Sequence, residues 1–519
     1  MNRDEMLKRI RTNPEIWDLI IIGGGATGLG CAVDAASRGY KTVLLERSDF
    51  AKGTSSRSTK LVHGGVRYLQ QGNFSLVIEA LKERGILRQN APHLVSNLPL
   101  VVPAYEWWEA PWTGIGLKLY DIMAGKLGFG KSQLLSREET LAMIPTIEKS
   151  GLRGGIIYYD GQFDDARLAI NLASTAADQG ATLVNYVNVT GLLKQDDVVT
   201  GVLAVDVENA ETLELRGKAV INATGPFCDS VRLMDSPGAA PVIAPSQGVH
   251  LMLPRSFLPG NAAILVPHTR DGRVIFLIPW RDCVMVGTTD TPIDEVPVEP
   301  AARDEEIAFL LEYAARYLNR DPSRSDVLSV FTGVRPLVGD ARDENTAKLS
   351  RDHSILISCS GLLTVAGGKW TTYRRMAEDA IDKALVLAGL EFKPCVTENL
   401  RIHGYHPGAA EFKELSWYGS DAPAIQDLAR RHPDLGTKLH PALPTIGAEV
   451  VWAVRREMAR TVEDVLSRRS RCLLIDAKAS VAAAPRTAEL MATELGWGRD
   501  WQMNQLSQYR ELSRYYSLD

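Results

Sequence analysis

The stretch that most constrains the fold runs from residue 17 to residue 30 and reads WDLIIIGGGATGLG. Its apolar, β-branched run is typical of a buried strand, and it ends in the spacing Gly-x-Gly-x-x-Gly at Gly23, Gly25 and Gly28. In this arrangement the first glycine makes a tight turn, the second lets the backbone approach a pyrophosphate, and the third lets the next helix pack on the strand. The N-terminus of that helix would face the phosphates of a bound nucleotide.

The residues that follow complete this pattern. Residues 29–39 predict a helix closed by a glycine, and residues 41–46 (KTVLLE) predict a second buried strand that ends in Glu46. Glu46 follows Gly28 by eighteen residues (46 − 28), the spacing at which an acid accepts from a ribose hydroxyl. A structural turn is the alternative, since a lone glycine motif is weak. The intact order of strand, glycines, helix, strand and acid favours a dinucleotide-binding domain.

The nucleotide-binding sheet is predicted to resume far downstream. Residues 163–186 predict a helix and then a strand, and residues 218–225 (KAVINATG) predict a buried strand that ends in a turn at Gly225. Residues 353–365 predict a further strand. These pieces fit one split domain with other material inserted, an arrangement that favours FAD over NAD because a long flavin cofactor needs protein at both ends.

A second glycine-rich segment, AGGKWTTYRR, follows the last of these strands and is predicted to begin a helix at residue 366. Gly367 and Gly368 permit close backbone approach, and Lys369 with the helix N-terminus supplies positive potential. A reduced flavin carries negative charge that such an environment stabilises. A glycine turn before a surface helix is the alternative interpretation.

The remaining segments predict two further parts. Short β-rich runs at 249–253, 264–267, 274–279 and 283–286 predict an antiparallel sheet. From about residue 394 the chain is mostly helical. There the segment 447–469 has helical spacing of apolar residues and is interpreted as a solvated helix in a small cap domain, with dimerisation as an alternative role.

Composition excludes several classes of protein. A net charge of −5 over 519 residues gives no reason to expect nucleic-acid binding. The six cysteines are scattered without a CxxC pair, so no disulfide framework or metal site is expected and a reducing compartment fits. No apolar run is long enough to span a bilayer. The first fifteen residues lack an apolar core, so neither a secretory signal nor a good transit peptide is predicted.

Six motifs carry a resemblance to one family. They read KGTSSRSTKLVHGGVRYLQ, YYDGQFDDAR, VINATGPFCDSV, PWRDCVMVGTTDTP, GVRPLVGD and VAGGKWTTYRRMAED. Together they resemble the FAD-dependent, quinone-linked glycerol-3-phosphate dehydrogenases, and the mitochondrial type most closely. The resemblance covers about residues 17–379 and continues more weakly through MARTVEDVLSRRSR. The sequence contains no D-x-D-x-D-G loop of an EF-hand, so calcium regulation is not expected. A bacterial member of the family is expected instead.

The resemblance implies a fold of class α/β + α. It combines a Rossmann-like FAD-binding domain of the glutathione reductase/D-amino acid oxidase type, an inserted antiparallel-sheet substrate domain and a helical C-terminal cap domain. The expected bounds are 17–105, 160–245 and 350–393 for the first, 106–159 and 246–349 for the second, and 394–519 for the third.

The resemblance also assigns roles to the first quoted motif. Residues 54–60, with Thr54, Ser55 and Ser56, would wrap the FAD pyrophosphate, and Gly64 and Gly65 would lie against the isoalloxazine ring. FAD is expected to be held without a covalent bond. A phosphate monoester would be held by four further residues, Arg67, Tyr68, Arg351 and Lys369. An arginine offers a planar fork for phosphate oxygens, although a buried arginine paired with a carboxylate is the alternative.

Two residues match the family's reacting groups. A single histidine on a strand is more often a satisfied core residue, but His250 matches the family's candidate general base, whose reference pKa lies near the operating pH. Arg335 matches an arginine near the reacting hydroxyl. His250 would take the C2 hydroxyl proton, Arg335 would stabilise the developing alkoxide, and hydride would pass to flavin N5, giving dihydroxyacetone phosphate. His63 is interpreted as supporting the flavin loop, with a second base as the alternative role.

Three functions are compatible with these residues. The first is oxidation of sn-glycerol 3-phosphate with electrons passed to a quinone. The second is an oxidase that passes electrons to oxygen and makes hydrogen peroxide. Its substrate would be the same phosphate ester or an amine, although an amine would gain little from so cationic a pocket. The third is a non-catalytic FAD- or metabolite-sensing protein, against which the intact set of cationic residues argues.

A tryptophan- and lysine-rich segment at residues 106–131 predicts where the protein contacts a membrane, so that the reduced flavin can pass electrons to a quinone. It suits peripheral attachment to one leaflet, with aromatic side chains at the interface and cations near anionic headgroups. The expected location is cytoplasmic, on the inner face of the cytoplasmic membrane. Burial of these tryptophans in the inserted domain is the alternative. The residues concerned are Trp107, Trp108, Trp112, Lys118, Lys126 and Lys131.

Overall fold

The computed structural model describes residues 1–12, 15–65, 74–106, 123, 128–266, 269, 274–339 and 353–518. Within these residues the strands are β1 Trp17–Ile22, β2 Thr42–Leu45, β3 Leu61–Val62, β4 Val95–Ala104, β5 Gln133–Ser136, β6 Gly154–Phe163, β7 Thr182–Val184, β8 Val187–Gln195, β9 Val198–Asp206, β10 Thr212–Asn222, β11 Ile243–Pro254, β12 Ala263–Val266, β13 Ile275–Trp280, β14 Cys283–Gly287, β15 Thr291–Pro292, β16 Ser329–Val338, β17 His353–Ile357 and β18 Leu363–Gly367.

The helices of the described residues flank and extend these strands. They are α1 Arg3–Thr12, α2 Ala26–Ser37, α3 Phe74–Asn90, α4 Arg137–Met143, α5 Asp165–Asp178, α6 Cys228–Asp235, α7 Asp304–Tyr317, α8 Tyr373–Leu387, α9 Ala422–Arg431, α10 Gly447–Arg456, α11 Cys472–Ile475, α12 Ala477–Leu495 and α13 Arg499–Ser513.

The first sheet has the order β17-β18-β10-β1-β2-β7, and the five strands from β18 to β7 run parallel. In register, Ile21 of β1 pairs with Ile221 of β10 and Leu44 of β2. Helix α2 packs against α5 and α8, which cover the sheet. The β1–α2–β2 unit was predicted from sequence, and the structure confirms it.

The segment 353–375 differs from its prediction. Residues 353–367 form two antiparallel strands, β17 and β18, instead of one strand, because Gly361 adopts a φ of +87° and its N–H donates to the Ser358 carbonyl in a tight turn. Helix α8 begins at Tyr373, after a 3-10 turn at Trp370–Thr372, and not at residue 366.

The second sheet has the order β15-β11-β14-β13-β12-β4-β6-β3, with β16 on β11 and β5 on β6. The four β-rich runs predicted here lie in β11, β12, β13 and β14, which pair antiparallel where they are neighbours. Strands β3 and β4 also belong to this sheet, whereas the predicted bounds placed them in the cofactor-binding domain. Their long-range pairing with β6 leaves no local signal in the sequence.

The helical C-terminal region does not contain the single solvated helix interpreted from residues 447–469. Helix α10 ends at Arg456, and Asp464–Arg469 forms a π-helix whose side chains are buried. Arg468 and Arg469 both pair with Asp49 of the cofactor-binding domain. Helical spacing does not distinguish a charge that faces water from one that is paired across an interface. Among the described helices, none is long and apolar enough to cross a bilayer.

Candidate functional site

One large cavity of about 640 Å³ lies where the carboxyl ends of β1, β2 and β10 face strands β11 and β16 of the second sheet. Its volume falls in the ordinary range for small-molecule and cofactor sites, and ligands of parallel sheets bind at this end of the strands. Predicted site residues that line it are Gly23, Gly25, Glu46, Thr54, Ser55, Gly225, His250, Arg335, Gly367, Gly368 and Lys369.

The structure does not bring every predicted residue to this lining. Gly28, Ser56, Gly64 and Gly65 lie nearby in sequence but do not line the cavity. The three substrate-binding predictions Arg67, Tyr68 and Arg351 lie outside the described residues.

The glycine motif has the geometry of a nucleotide cradle. Gly23 has a φ of +106°, and a Cβ there would lie 2.7 Å from the carbonyl oxygen of Ala223. A Cβ at Gly28 would lie 1.9 Å from the carbonyl oxygen of Gly23, so the first turn of α2 packs on the end of β1 only because glycine is present. The N-terminus of α2 therefore opens on the cavity, where its dipole favours an anion.

Glu46 ends the second strand of this unit. Its carboxylate accepts from the backbone N–H of Gly24 at 2.7 Å and from that of Ser48 at 2.8 Å. Burial raises the pKa of Glu46, and the two backbone donors oppose that shift. A carboxylate has about four acceptor positions, so it can still accept from the ribose hydroxyls of a nucleotide. Cradle, acid and cavity therefore fit FAD.

The loop at Thr54–Ser56 joins the two ends of the cavity. The hydroxyl of Ser55 accepts from the N–H of Ala26 at 2.9 Å, at the first turn of α2. The carbonyl of Ser55 accepts from the indole N–H of Trp370 at 2.9 Å. His63, interpreted as supporting the flavin loop, lines the cavity, and its N–H donates to the hydroxyl of Thr371 at 3.3 Å. The segment at Gly367–Thr371 is thereby tied to the pyrophosphate side.

His250 lies on β11 and is buried, with 2% of its surface exposed. Its ring stacks on Phe331 with centroids 4.7 Å apart, and Nε2 lies 3.0 Å from the hydroxyl of Thr59. Among the described residues Nδ1 has no hydrogen-bond partner. Burial, together with the positive charges of Lys60 and Arg335, lowers the pKa of His250 well below its ordinary value. The imidazole is therefore neutral near pH 7 and able to accept a proton.

Arg335 lies on β16, which pairs with β11. Its Nη2 donates to the carbonyl of Thr289 at 2.9 Å and to the hydroxyl of Thr288 at 3.0 Å, and Nη1 lies 3.2 Å from a carboxylate oxygen of Asp290. These contacts fix the guanidinium plane while its side chain stays partly exposed to the cavity. A fixed cation beside a neutral base is an arrangement that can deprotonate a hydroxyl and stabilise the oxygen anion that develops.

Several residues of this site were not predicted individually. Thr59, Thr288 and Asp290 contact the two reacting residues, and they lie inside the quoted motifs KGTSSRSTK and VGTTDTP, so the motifs carried a signal. Phe331 left no comparable signal, because an aromatic residue on an apolar strand predicts only a core position. Arg57 also lines the cavity and pairs with Glu299 at 2.7 Å.

Comparison with protein-family models gives two matches. A model described as FAD dependent oxidoreductase matches residues 18–374. A model described as the C-terminal domain of alpha-glycerophosphate oxidase matches residues 395–502. Residues 375–394 separate the two matches, and they follow the last strand of the first sheet.

Three known proteins are similar to this chain over most of its length. The mitochondrial glycerol-3-phosphate dehydrogenase of Mus musculus is 42% identical over 96% of this chain and 73% of its own. A glycerol-3-phosphate dehydrogenase from Bacillus halodurans, solved with FAD, has a TM-score of 0.81 at 28% identity and covers 100% of this chain and 98% of its own. The L-alpha-glycerophosphate oxidase of Mycoplasma pneumoniae has a TM-score of 0.56 at 19% identity, over 74% of this chain and 98% of its own, a similarity of fold alone.

Proposed function

Because the chain belongs to the family of FAD-dependent glycerol-3-phosphate dehydrogenases, we propose that it oxidises sn-glycerol 3-phosphate to dihydroxyacetone phosphate. The observation that carries this proposal is the neutral, buried His250 beside the fixed cation Arg335, in the same cavity as a dinucleotide cradle. Oxidation of a secondary alcohol requires a proton acceptor, an anion stabiliser and a hydride acceptor.

The protein residues supply the first two of these requirements. His250 accepts the proton of the C2 hydroxyl, and the lowered pKa of its imidazole keeps it in the accepting form at neutral pH. Arg335 stabilises the negative charge that develops on the same oxygen, with its guanidinium held by Thr288 and Thr289. FAD, when bound, supplies the hydride acceptor.

The substrate phosphate requires cations near this position. Lys369 lines the cavity and is the described member of the predicted phosphate set. Arg67, Tyr68 and Arg351 lie outside the described residues, and their roles stay predictions. We expect Arg351→Ala to raise the substrate dissociation constant by roughly 10-fold to 100-fold, because a charge-assisted contact is lost. An unchanged dissociation constant would remove Arg351 from the anion site.

The test of the substrate is anaerobic reduction of the purified yellow protein. Glycerol 3-phosphate should bleach the flavin absorbance. Glycerol, which lacks the phosphate, and glycine, a primary amine, serve as controls and should bleach it far more slowly at the same concentration. Equal reduction by glycerol would remove phosphate recognition from the proposal. Rapid reduction by glycine alone would replace it with amine oxidation.

FAD should be bound without a covalent link. No cysteine lies among the described residues that line the cavity, and the cradle accounts for binding by hydrogen bonds and the helix dipole. Acid precipitation should release all flavin into the supernatant as FAD. A yellow pellet would contradict the non-covalent bond, and an FMN signal would contradict the dinucleotide cradle.

We propose a membrane quinone as the electron acceptor. The similarity to dehydrogenases at 42% identity supports this choice, whereas the similarity to the Mycoplasma oxidase is one of fold. Oxygen is the second candidate, favoured by the match of residues 395–502 to the glycerophosphate oxidase C-terminal domain. Protein reduced anaerobically by glycerol 3-phosphate should be reoxidised rapidly by a soluble quinone and slowly by oxygen. Rapid reoxidation by oxygen with release of hydrogen peroxide would identify an oxidase.

A quinone acceptor requires contact with a lipid surface, which we assign to residues 106–131. Its tryptophans Trp107, Trp108 and Trp112 lie outside the described residues, so the assignment rests on their sequence pattern. Their joint replacement by serine should release the protein from anionic liposomes while flavin reduction by glycerol 3-phosphate continues. Replacement of Trp497, at the far end of the chain, serves as a control. Unchanged liposome binding in the folded triple variant would move the docking surface elsewhere.

A further inference from the structure

Three ionised side chains form a buried cluster behind the wall of the cavity. Lys60, Asp165 and Arg471 are essentially inaccessible to water. The ammonium of Lys60 lies 2.7 Å from one carboxylate oxygen of Asp165, and the guanidinium of Arg471 lies 2.9 Å from the other. Asp165 begins helix α5, whereas Arg471 comes from the C-terminal region, two residues after the end of the π-helix. The cluster therefore joins two distant parts of the chain.

The same three groups hold the loop at residues 56–60. The carbonyl of Ser56 accepts from Arg471 at 2.8 Å and from Lys60 at 3.0 Å. Asp165 accepts from both the N–H and the hydroxyl of Ser58, at 2.9 and 2.7 Å. The ammonium of Lys60 also donates to the carbonyl of Ser58 at 3.1 Å. The Ser56 carbonyl and the N–H, hydroxyl and carbonyl of Ser58 are thus bound to the cluster.

The loop delivers one side chain to the reacting histidine. Thr59 lies between the two anchored residues Ser58 and Lys60, and its hydroxyl lies 3.0 Å from Nε2 of His250. Among the described residues, this is the one hydrogen bond that the His250 ring makes, because Nδ1 has no partner. It orients the imidazole and, through the direction of the hydroxyl proton, selects which ring nitrogen is free to accept a proton.

Stability alone does not account for such a cluster. A buried ion pair is often no more stabilising than apolar residues of the same volume, because desolvation offsets the Coulomb attraction. The backbone is also in an uncommon conformation at both cations, with φ of +59° at Lys60 and +67° at Arg471. Residues other than glycine rarely adopt this region, and where they do the surroundings must impose it.

From this geometry we infer that Arg471 is a positioning residue for the reaction, by which the C-terminal region sets the orientation of His250. It acts through Ser56, Asp165 and the loop that carries Thr59, and does not itself reach the cavity. The inference rests on the proposed function for its kinetic part. It gives the C-terminal region a role at the active site in place of the solvated cap interpreted from sequence.

The first test measures flavin reduction by glycerol 3-phosphate in anaerobic stopped flow, at full FAD occupancy and over a range of substrate concentrations. Arg471→Lys keeps the charge but removes the guanidinium, whose Nη2 donates to both the Ser56 carbonyl and the Asp165 carboxylate. We expect the limiting reduction rate to fall roughly 10-fold, with the substrate dissociation constant unchanged, since a small misplacement of a reacting group lowers rate before binding. Arg167→Lys is the matched control. Arg167 is an equally buried arginine that joins α5 to Glu457 without contacting the loop.

A double-mutant cycle tests whether Arg471 acts through Thr59. Thr59→Val alone should lower the limiting rate, and adding Arg471→Lys in that background should lower it less than about twofold further, because both changes remove one connection. If the rate losses of Thr59→Val and Arg471→Lys multiply in the double variant, the inference is overturned. A normal rate in Arg471→Lys, or an equal loss in Arg167→Lys, would also overturn it.

Hydrogen exchange gives a readout that does not depend on turnover. In the FAD-loaded protein, a peptide that covers residues 53–61 should exchange faster in Arg471→Lys than in the wild type. Its exchange rate in Arg167→Lys should equal that of the wild type. Ser58→Ala is a milder variant that removes one hydroxyl contact to Asp165, and it decides the matter if Arg471→Lys fails to fold. Unchanged exchange and an unchanged rate in Ser58→Ala would overturn the inference. Wild-type protein that exchanges as expected but is not reduced by glycerol 3-phosphate would instead contradict the proposed function.

Discussion

Replacement of Gly248 by alanine should slow the chemical step without removing any reacting group. Gly248 lies on β11 opposite Gly333 of β16, directly under the guanidinium of Arg335. A Cβ at this position would lie 2.5 Å from Nη2 and 2.7 Å from Nη1 of Arg335, and 2.6 Å from the hydroxyl of Thr288. Since non-bonded heavy atoms rest about 3.5–4.0 Å apart, the guanidinium must retreat by roughly 1 Å.

A retreat of this size breaks the positioning of Arg335. Its Nη2 is held by Thr288 at 3.0 Å and by the Thr289 carbonyl at 2.9 Å, and both bonds lengthen beyond hydrogen-bonding distance when the group moves by about 1 Å. Misplacement by this distance costs about 100-fold in rate, or about 2.7 kcal/mol of transition-state stabilisation. Crowding of the sheet adds a stability cost of about 1–3 kcal/mol.

The assay is the limiting rate of flavin reduction by glycerol 3-phosphate under anaerobic conditions. Gly238→Ala is the control, because a Cβ there would meet no atom within 4 Å. We expect Gly248→Ala to lose about two orders of magnitude in rate while its FAD content equals that of the control. A Gly248→Ala protein that retains FAD and reduces it at the wild-type rate would show that the position of Arg335 does not limit the reaction.

Three further substitutions test the proposed base His250, the ion pairs of His403 and the buried ion pairs of Asp49. His250→Ala should lower the reduction rate by about 10²–10⁴-fold with FAD retained, and normal turnover at neutral pH would exclude it as the base. His403 bridges Asp178 and Asp421, whose carboxylates raise its pKa to about 9, so its stabilisation is complete below about pH 6.5 and is lost as the pH rises through 9. Because His403 is 31% exposed, solvent screening reduces this contribution to about 1–2 kcal/mol, and His403→Gln should remove that part of the pH dependence of the thermal midpoint. Asp49→Asn should lower the free energy of unfolding in urea by about 3–5 kcal/mol, because two buried arginines lose their carboxylate; a smaller loss than that of a surface control would contradict the pairing.

The parts of the fold that the sequence predicted are those specified by neighbours in the chain. The strand, glycine turn, helix and second strand that end at Glu46 follow from periodicity and from turn chemistry within thirty residues (46 − 17 + 1). The four β-rich runs of the second sheet were predicted for the same reason. The hairpin at β17 and β18 was missed, because its turn is short and the apolar pattern continues on both sides of it.

The parts that the sequence did not predict depend on partners far away in the chain. Nothing near Thr59 indicates that it contacts His250, which lies 191 residues later. Nothing in the SRRSR segment indicates that its arginines are buried. Glu463 and Asp464 pair with Arg468 locally, but Asp49 and Asp165, which also pair with these arginines, lie in the first 165 residues. The family resemblance located the reacting residues, but the loop, the cluster and the ring of Phe331 that support them became visible only in the structure.

The wide separation of these charge pairs has a consequence for how the protein is made. Asp49 leaves the ribosome 420 residues before Arg469, and Asp165 leaves it 306 residues before Arg471. At about 5–20 residues per second, Asp49 waits about 20–80 s for its partner. During that time its carboxylate must remain hydrated or become protonated, since an unpaired buried charge is too costly. As long as this carboxylate is hydrated, the nascent nucleotide-binding unit stays open around Asp49 until the C-terminal segment emerges. The loop at residues 56–60 therefore reaches its final geometry only after Arg471 has been translated.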